Sequence, residues 1–318
     1  MTDVVVTDQA FGGVDRERKV AVEHGRSFAE HQVRTEDETI KAVMGAHVVF
    51  VNFAPITRRV LETLADAAVV IRYGIGYDNV DIEAACELGV TLCNVPDYGA
   101  DTVADHTVAL MLATLRKLIP FNDGIRNHGW IEPASLGGIR GFDETTIGLI
   151  GTGRIGRAVA NRLIPFGFRL VAYDPFVEGD SLRAAGISPL GLVELLQTAD
   201  AISVHAPLTA MNRHMLGSKA FASMKPGVVI VNTSRGPLID EEALADALRD
   251  GPVAAAALDV FEDEPLPVTS PLREFSNVTL TPHAAFFSDT SLANLQRLAA
   301  EEAGRALSGQ PLRCVVNR

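Results

Sequence analysis

The residues Thr146-Ile147-Gly148-Leu149-Ile150 run directly into Gly151-Thr152-Gly153-Arg154-Ile155-Gly156 and then into Arg157-Ala158-Val159-Ala160. A compact apolar run followed by GxGxxG and a helical segment is the strand–turn–helix of a doubly wound α/β unit. Each glycine meets a different demand: Gly151 makes the tight turn, Gly153 lets the backbone approach a pyrophosphate, and Gly156 lets the helix pack closely on the strand. Backbone N–H groups at the start of that helix would face the anion.

The rest of the chain repeats the same grammar. Short β-branched runs at Val4–Val6, His47–Val51, Val69–Arg72 and Thr91–Cys93 precede the glycine turn. Arg169–Tyr173, Ala201–Val204, Val228–Val231, Ala255–Leu258 and Val278–Leu280 follow it. Longer amphipathic segments such as Ile56–Ala65 lie between them, which predicts an α/β fold of βα units around a parallel sheet. Asp101–Leu118 reads as a long helix between the two series, and Thr290–Leu307 as a closing helix stopped by Gly309 and Pro311. Pro120–Phe142, rich in glycine and holding the only tryptophan, Trp130, reads as a connecting arm.

Composition narrows the function classes. With 318 residues the chain has room for two domains. Twenty-eight Lys and Arg against 40 Asp and Glu leave a formal charge of −12, which opposes contact with nucleic acid or an anionic membrane. No apolar run is long enough to span a bilayer and the N-terminus lacks the pattern of a secretory signal, so a cytoplasmic protein is expected. Cys86, Cys93 and Cys314 form no CxxC, and His205 and His214 offer no metal spacing with His283, so no metal is expected.

The strand after the glycine turn ends at Asp174, 18 residues beyond Gly156, where an acidic side chain accepts hydrogen bonds from an adenosine ribose. A carboxylate there repels a 2′-phosphate, and Pro175 and Phe176 follow it in place of an arginine, so NAD is the expected cofactor. Ligands of open α/β sheets sit outside the carboxyl ends of the strands. The later strands deliver Thr209, Arg235, Asp259 with Glu264, and His283 to that edge, with His205 at the end of one strand read as a structural or cofactor-loop residue. An arginine fork for a carboxylate, a histidine for proton transfer and a carboxylate to fix that histidine suit the interconversion of a 2-hydroxy and a 2-keto acid.

The chain resembles the D-isomer-specific 2-hydroxyacid dehydrogenases over essentially its whole length. The resemblance is carried by Gly74-Ile75-Gly76-Tyr77-Asp78-Asn79-Val80-Asp81, Asn94-Val95-Pro96, Ala104-Asp105-His106, the glycine turn, Tyr173-Asp174-Pro175 and His205-Ala206-Pro207-Leu208-Thr209. It continues through Asn232-Thr233-Ser234-Arg235-Gly236, Leu258-Asp259 with Glu264-Pro265, and Thr281-Pro282-His283-Ala284-Ala285. It is closest to the branch of C-terminal-binding proteins, phosphoglycerate dehydrogenase and hydroxypyruvate reductase. The ends His283-Ala284-Ala285-Phe286-Phe287-Ser288 and Cys314-Val315-Val316-Asn317 lean toward the first of these.

The resemblance implies that Arg235 holds the substrate carboxylate and carbonyl, that His283 protonates the carbonyl oxygen, and that Glu264 pairs with His283. It implies further donors from the backbone at Ile75 and Gly76, and cofactor contacts at Arg154, Ile155, Asp174, His205, Pro207, Thr209, Thr233, Arg235, Asp259, His283 and Ala285. It also implies an α/β fold with two doubly wound, Rossmann-like parallel sheets: a flavodoxin-like substrate domain of residues 1–99 and 285–318, interrupted by an NAD-binding domain of residues 100–284. A homodimer is implied through the NAD domain and the arm around Trp130. Phe286 stands where the C-terminal-binding proteins place a tryptophan, and with Arg318 as the last residue no regulatory domain is expected. The competing expectation is an NAD-sensing interaction protein with little turnover; retention of Arg235, Glu264 and His283 favours the enzyme.

Overall fold

The computed structural model describes residues 2–317. The chain divides into two compact units, one running to Gly99 and resuming at Ser288, the other Ala100–Phe287. Residues 285–287, read from the sequence as the start of the returning segment, group with the second unit.

The first unit holds strands β1 (Val4–Val6), β2 (Phe28–Glu30), β3 (Val48–Val51), β4 (Val69–Arg72) and β5 (Thr91–Cys93), all parallel in the order β2-β1-β3-β4-β5. That is the flavodoxin-like order. Val5, Val49, Val51, Val70 and Leu92 pack one face against short helices, and strands this apolar on both faces are those of a covered parallel sheet.

The second unit holds β6 (Thr146–Ile150), β7 (Arg169–Tyr173), β8 (Ser188–Pro189), β9 (Ala201–Val204), β10 (Val228–Asn232), β11 (Val253–Leu258) and β12 (Val278–Leu280). They form one sheet in the order β12-β11-β10-β9-β6-β7-β8, again with parallel pairing throughout. The order reverses between β6 and β9, which opens the crevice of a dinucleotide fold at the carboxyl ends of those two strands. Separate apolar clusters line its two faces, one around Ile202, Ile230 and Leu244 and the other around Leu149, Val159 and Val231.

Two helical expectations change. The first helix of the second unit spans Ala100–Leu115 and stops at Lys117, which takes a left-handed conformation (φ 52°) with its ammonium donating to the Leu136 carbonyl. A second helix, Leu118–His128, then occupies the first part of the expected arm. Pro120 lies in its first turn, where a missing N–H costs nothing. Gly124 is inside it because a Cβ there would come within 2.4 Å of Ile131 Cδ1. The segment Ile56–Ala65 keeps only Arg58–Leu61 as helix, and Ser288 caps the closing helix Asp289–Leu307 by accepting from the Ser291 N–H at 3.1 Å. Among the described residues no helix is long and apolar enough to cross a membrane.

Candidate active site

The crevice is built first by the glycine turn. Gly151 has φ +93°, and a Cβ on it would lie 2.8 Å from the His205 carbonyl carbon. On Gly156 a Cβ would lie 2.3 Å from the Gly151 oxygen, so the helix Arg154–Leu163 reaches the turn only with glycine at that place. Above Gly153 there is open space, which is what a pyrophosphate needs. Arg154 and Ile155 form the first helical positions beyond it.

Asp174, at the end of β7, is locked to the same turn. The Thr152 backbone N–H and hydroxyl both donate to Oδ2, at 2.7 and 2.8 Å, and the Phe176 N–H donates to Oδ1 at 3.0 Å. Partial burial pushes this carboxyl upward, but the three hydrogen bonds and the nearby Arg157 outweigh it and hold it below the usual carboxylate range. An ionised carboxylate beside the glycine turn, with lone pairs left on Oδ1, fits a ribose diol and opposes a phosphate.

On the other side of the crevice, β9 is followed directly by His205. Its Nε2 is shielded from solvent without a hydrogen-bond partner, and burial lowers its pKa from 6.5 to about 4, so the ring is neutral near pH 7. The following loop closes on itself through Asn212, which accepts from the Thr209 N–H at 2.7 Å and donates to the Pro207 carbonyl at 2.7 Å. Thr209 and Pro207 therefore stand on a braced, exposed loop.

Beyond β10, Asn232 organises the corner that presents Arg235. Its Oδ1 accepts from the Ser234 N–H at 3.0 Å, its Nδ2 donates to the Arg235 carbonyl at 2.8 Å, and Ser234 Oγ donates to the Ala206 carbonyl at 2.6 Å. Arg235 itself is half-buried and donates from Nη1 to the Ser234 carbonyl at 2.8 Å. Gly236 is buried under the loop after β11: a Cβ there would lie 1.9 Å from the Phe261 carbonyl carbon. That contact sets the Arg235 corner directly against the segment carrying Glu264.

Glu264 Oε1 accepts from the Phe261 N–H at 3.0 Å, and Oε2 lies 2.7 Å from His283 Nδ1. Burial pushes the Glu264 carboxyl up, yet the bond to His283, the charge of that imidazole and Arg235 together hold it below its ordinary value. An ionised Glu264 can only accept, so Nδ1 carries the hydrogen and Nε2 is left to exchange a proton with a ligand. His283 is a non-glycine residue at φ +52°. Its N–H donates to the Asp259 carbonyl at 2.7 Å, and the Phe286 ring stands edge-on with its centroid 6.2 Å away.

Asp259, expected at a cofactor contact, anchors a turn of the site. Its carboxylate is wholly buried and accepts from Thr281 Oγ1 at 2.5 Å, the Ala284 N–H at 2.8 Å and the Ala285 N–H at 2.9 Å. It anchors the turn that carries His283. The sequence marks Asp259 as a polar residue closing an apolar strand and as part of a family motif, and neither says which way its carboxylate points. Thr233 is likewise buried, 2.7 Å from Thr107 Oγ1. Ile75 and Gly76 lie in the first unit, in the bend after β4, where Asn94 Nδ2 donates to the Ile75 carbonyl at 2.8 Å.

The second unit thus gathers an arginine, a neutralising histidine–glutamate pair and an anion-ready glycine turn on one sheet edge. Residues 108–285 match the family described as D-isomer specific 2-hydroxyacid dehydrogenase, NAD binding domain. The D-3-phosphoglycerate dehydrogenase of Methanocaldococcus jannaschii is 37% identical over 285 residues, covering 89% of this chain and 54% of that protein. A glyoxylate reductase of Korarchaeum cryptofilum is 37% identical over 249 residues, 78% of this chain and 75% of its own length. The D-lactate dehydrogenase of Aquifex aeolicus, solved with NAD and lactic acid, superposes with a TM-score of 0.88 at 26% identity, covering 96% of each chain. The chain spans about half the length of the phosphoglycerate dehydrogenases it matches. It belongs to the family of D-isomer specific 2-hydroxyacid dehydrogenases and carries that family's NAD-binding domain.

Proposed function

We propose that the protein is an NAD(H)-dependent oxidoreductase that interconverts a small D-2-hydroxy acid and its 2-keto acid, of the glyoxylate, hydroxypyruvate or phosphoglycerate type. The observation that carries this reading is the His283 Nδ1 to Glu264 Oε2 contact of 2.7 Å on the same edge as Arg235. The open space above Gly153 and the fixed carboxylate of Asp174 fit NAD.

Bound NADH supplies the hydride that reduces C2 of the keto acid. Arg235 holds the substrate carboxylate and polarises the carbonyl with its planar donors. His283 delivers the proton from Nε2 to the carbonyl oxygen, and Glu264 stabilises the ring as its charge changes. In the oxidative direction the same nitrogen takes the hydroxyl proton. Ile75 and Gly76 of the first unit offer backbone N–H groups as further donors for a substrate carboxylate, and Phe286 bounds the substrate side chain. Arg154, Ile155, His205, Pro207, Thr209, Thr233, Asp259 and Ala285 line or support the cofactor. In this reading the unit holding Ile75 and Gly76 is the substrate domain.

The same reading includes a cytoplasmic homodimer formed through the NAD-binding unit. Supporting it, the segment after Lys117 exposes Leu118, Ile119, Ile125 and Trp130, the last at 72%, beside a cavity of about 480 Å³ lined by Lys117, Pro120, Leu136 and Arg140.

The test is a panel of glyoxylate, hydroxypyruvate, 3-phosphohydroxypyruvate, pyruvate and longer 2-keto acids with NADH, followed by loss of the reduced nicotinamide absorbance. Turnover on at least one is expected. Tight NADH binding with no turnover on any would replace the enzyme by an NAD-sensing protein.

A further inference from the structure

The helix Ala100–Leu115 brings two polar side chains to the ends of the strands that carry the site. Thr107 Oγ1 lies 2.7 Å from Thr233 Oγ1, beside the Ser234-Arg235 corner. One residue earlier, His106 Nε2 lies 3.2 Å from Thr281 Oγ1 and 3.7 Å from Asp259 Oδ1. The helix is tied within its own unit by Arg162, which donates to Asp105 at 2.6 Å and to Asp101 at 2.9 Å. Neither His106 nor Thr281 has a part in the reaction described above.

The direction of each hydrogen bond follows from the donors available. Thr281 has one hydroxyl hydrogen, and it goes to Asp259 Oδ1 at 2.5 Å. Thr281 Oγ1 can therefore only accept from His106, whose Nε2 carries the hydrogen. The same carboxylate draws in the N–H groups of Ala284 and Ala285, the two residues after His283. His283 sits at φ +52°, a strained conformation for a non-glycine residue that persists only where the surroundings over-determine it. A continuous chain thus runs from His106 through Thr281 and Asp259 to the turn that aims the His283 ring.

We propose that His106 is a positioning residue for His283. Its N–H orients the Thr281 hydroxyl onto Asp259, and Asp259, which accepts from Thr281, Ala284 and Ala285, keeps the left-handed turn in place. The inference rests on His283 being the proton donor. Without the His106 donor, the Thr281 hydroxyl is free to rotate and the turn loses one of its restraints. The imidazole then drifts from the line between Glu264 and the carbonyl oxygen.

The experiment compares His106→Leu, His106→Gln, Thr281→Val and the double variant His106→Leu/Thr281→Val with the wild type, on whichever keto acid turns over, with His283→Ala run alongside. His106→Leu should lower kcat about tenfold, as expected for a small misplacement of a reacting group, while NADH binding and melting temperature stay near wild type. The primary isotope effect from deuterated NADH should rise, because the chemical step becomes slower relative to release. His106→Gln, whose amide N–H reaches the same point, should recover most of the rate. Thr281→Val should match His106→Leu, and the double variant should be no slower than the slower single one. A wild-type rate in His106→Leu, equal losses in the Leu and Gln variants, or additive losses in the double variant each overturn the inference. Should His106→Leu fail to fold, an unimpaired Thr281→Val overturns it equally. Full activity in His283→Ala would instead remove the acid assignment, a different failure from an inactive His283→Ala beside an unaffected His106→Leu.

Discussion

Gly236→Ala is the substitution with the sharpest geometric consequence. The added Cβ would meet Phe261 C at 1.9 Å, Phe261 O at 2.0 Å and Glu262 N at 2.5 Å, all backbone atoms that no rotamer change can move. Ordinary contact begins at 3.4 Å, so the loop after β11 must retreat by about 1.5 Å, the difference 3.4 − 1.9. Overpacking of a filled site costs about 1–3 kcal/mol. The functional cost is larger, because the retreating loop carries Glu264 and the 2.7 Å contact with His283 Nδ1. A displacement near 1 Å at a reacting group can lower a rate by roughly 10²-fold. Steady-state kinetics and thermal melts of the variant should show kcat reduced by about that factor with the protein still folded. Gly191→Ala is the control: φ there is −68° and no atom lies within 4 Å of the added methyl, so both rate and stability should hold. A Gly236→Ala protein within about twofold of the wild-type kcat would refute the coupling of the Arg235 corner to the Glu264 loop.

Asp174→Ala should move the NADH-to-NADPH preference toward NADPH by at least about tenfold, since the like charge opposing a 2′-phosphate is removed; an unchanged ratio removes the ribose assignment. His205 is neutral in the folded state because burial lowers its pKa to about 4, whereas the unfolded chain takes up a proton below 6.5. Its contribution is therefore present above pH 6.5 and lost as the pH falls toward 4. The loss amounts to a few kcal/mol at most, ~1–3 kcal/mol. Urea unfolding across that range should show a shallower acid loss in His205→Gln, and identical slopes would contradict it. Glu17 behaves oppositely: burial raises its carboxyl despite the bond from Tyr73 Oη at 3.0 Å, so its contribution is present at low pH and lost as pH rises through the folded value. Glu17→Gln should gain stability relative to wild type as the pH rises above the ordinary carboxylate range, and a pH-independent difference would count against the raised carboxyl.

Most strands of the NAD-binding unit are legible because they are compact apolar runs closed by polar residues, and those closing residues line the candidate site. Thr146–Ile150 and Arg169–Tyr173 are strands with the bounds read from the sequence. Phe28–Glu30 and Ser188–Pro189 were not legible: each is two or three residues long and lies at a sheet edge, where pairing to one neighbour decides the conformation. The helix Leu118–His128 was hidden by Pro120 and Gly124, which read as loop residues until the packing of Ile131 against Gly124 is known.

Arg235, Glu264 and His283 stood out because their chemistry is distinctive wherever they fall. His106, Thr281 and the anchoring side of Asp259 did not, since a histidine on an amphipathic helix carries no sequence signal of the hydroxyl it will meet 175 residues later. The buried pair of Glu17 and Tyr73 was silent for the same reason, being separated by 56 residues.

The central claim is that one imidazole, held by Glu264, moves the proton while NADH reduces the keto acid. The most direct measurement is the pre-steady-state rate of NADH oxidation in wild type and His283→Ala, with NADH binding measured on both. The account predicts a fall of about 10²–10⁴ in the rate with NADH affinity nearly unchanged. A His283→Ala protein that oxidises NADH at the wild-type rate would contradict it.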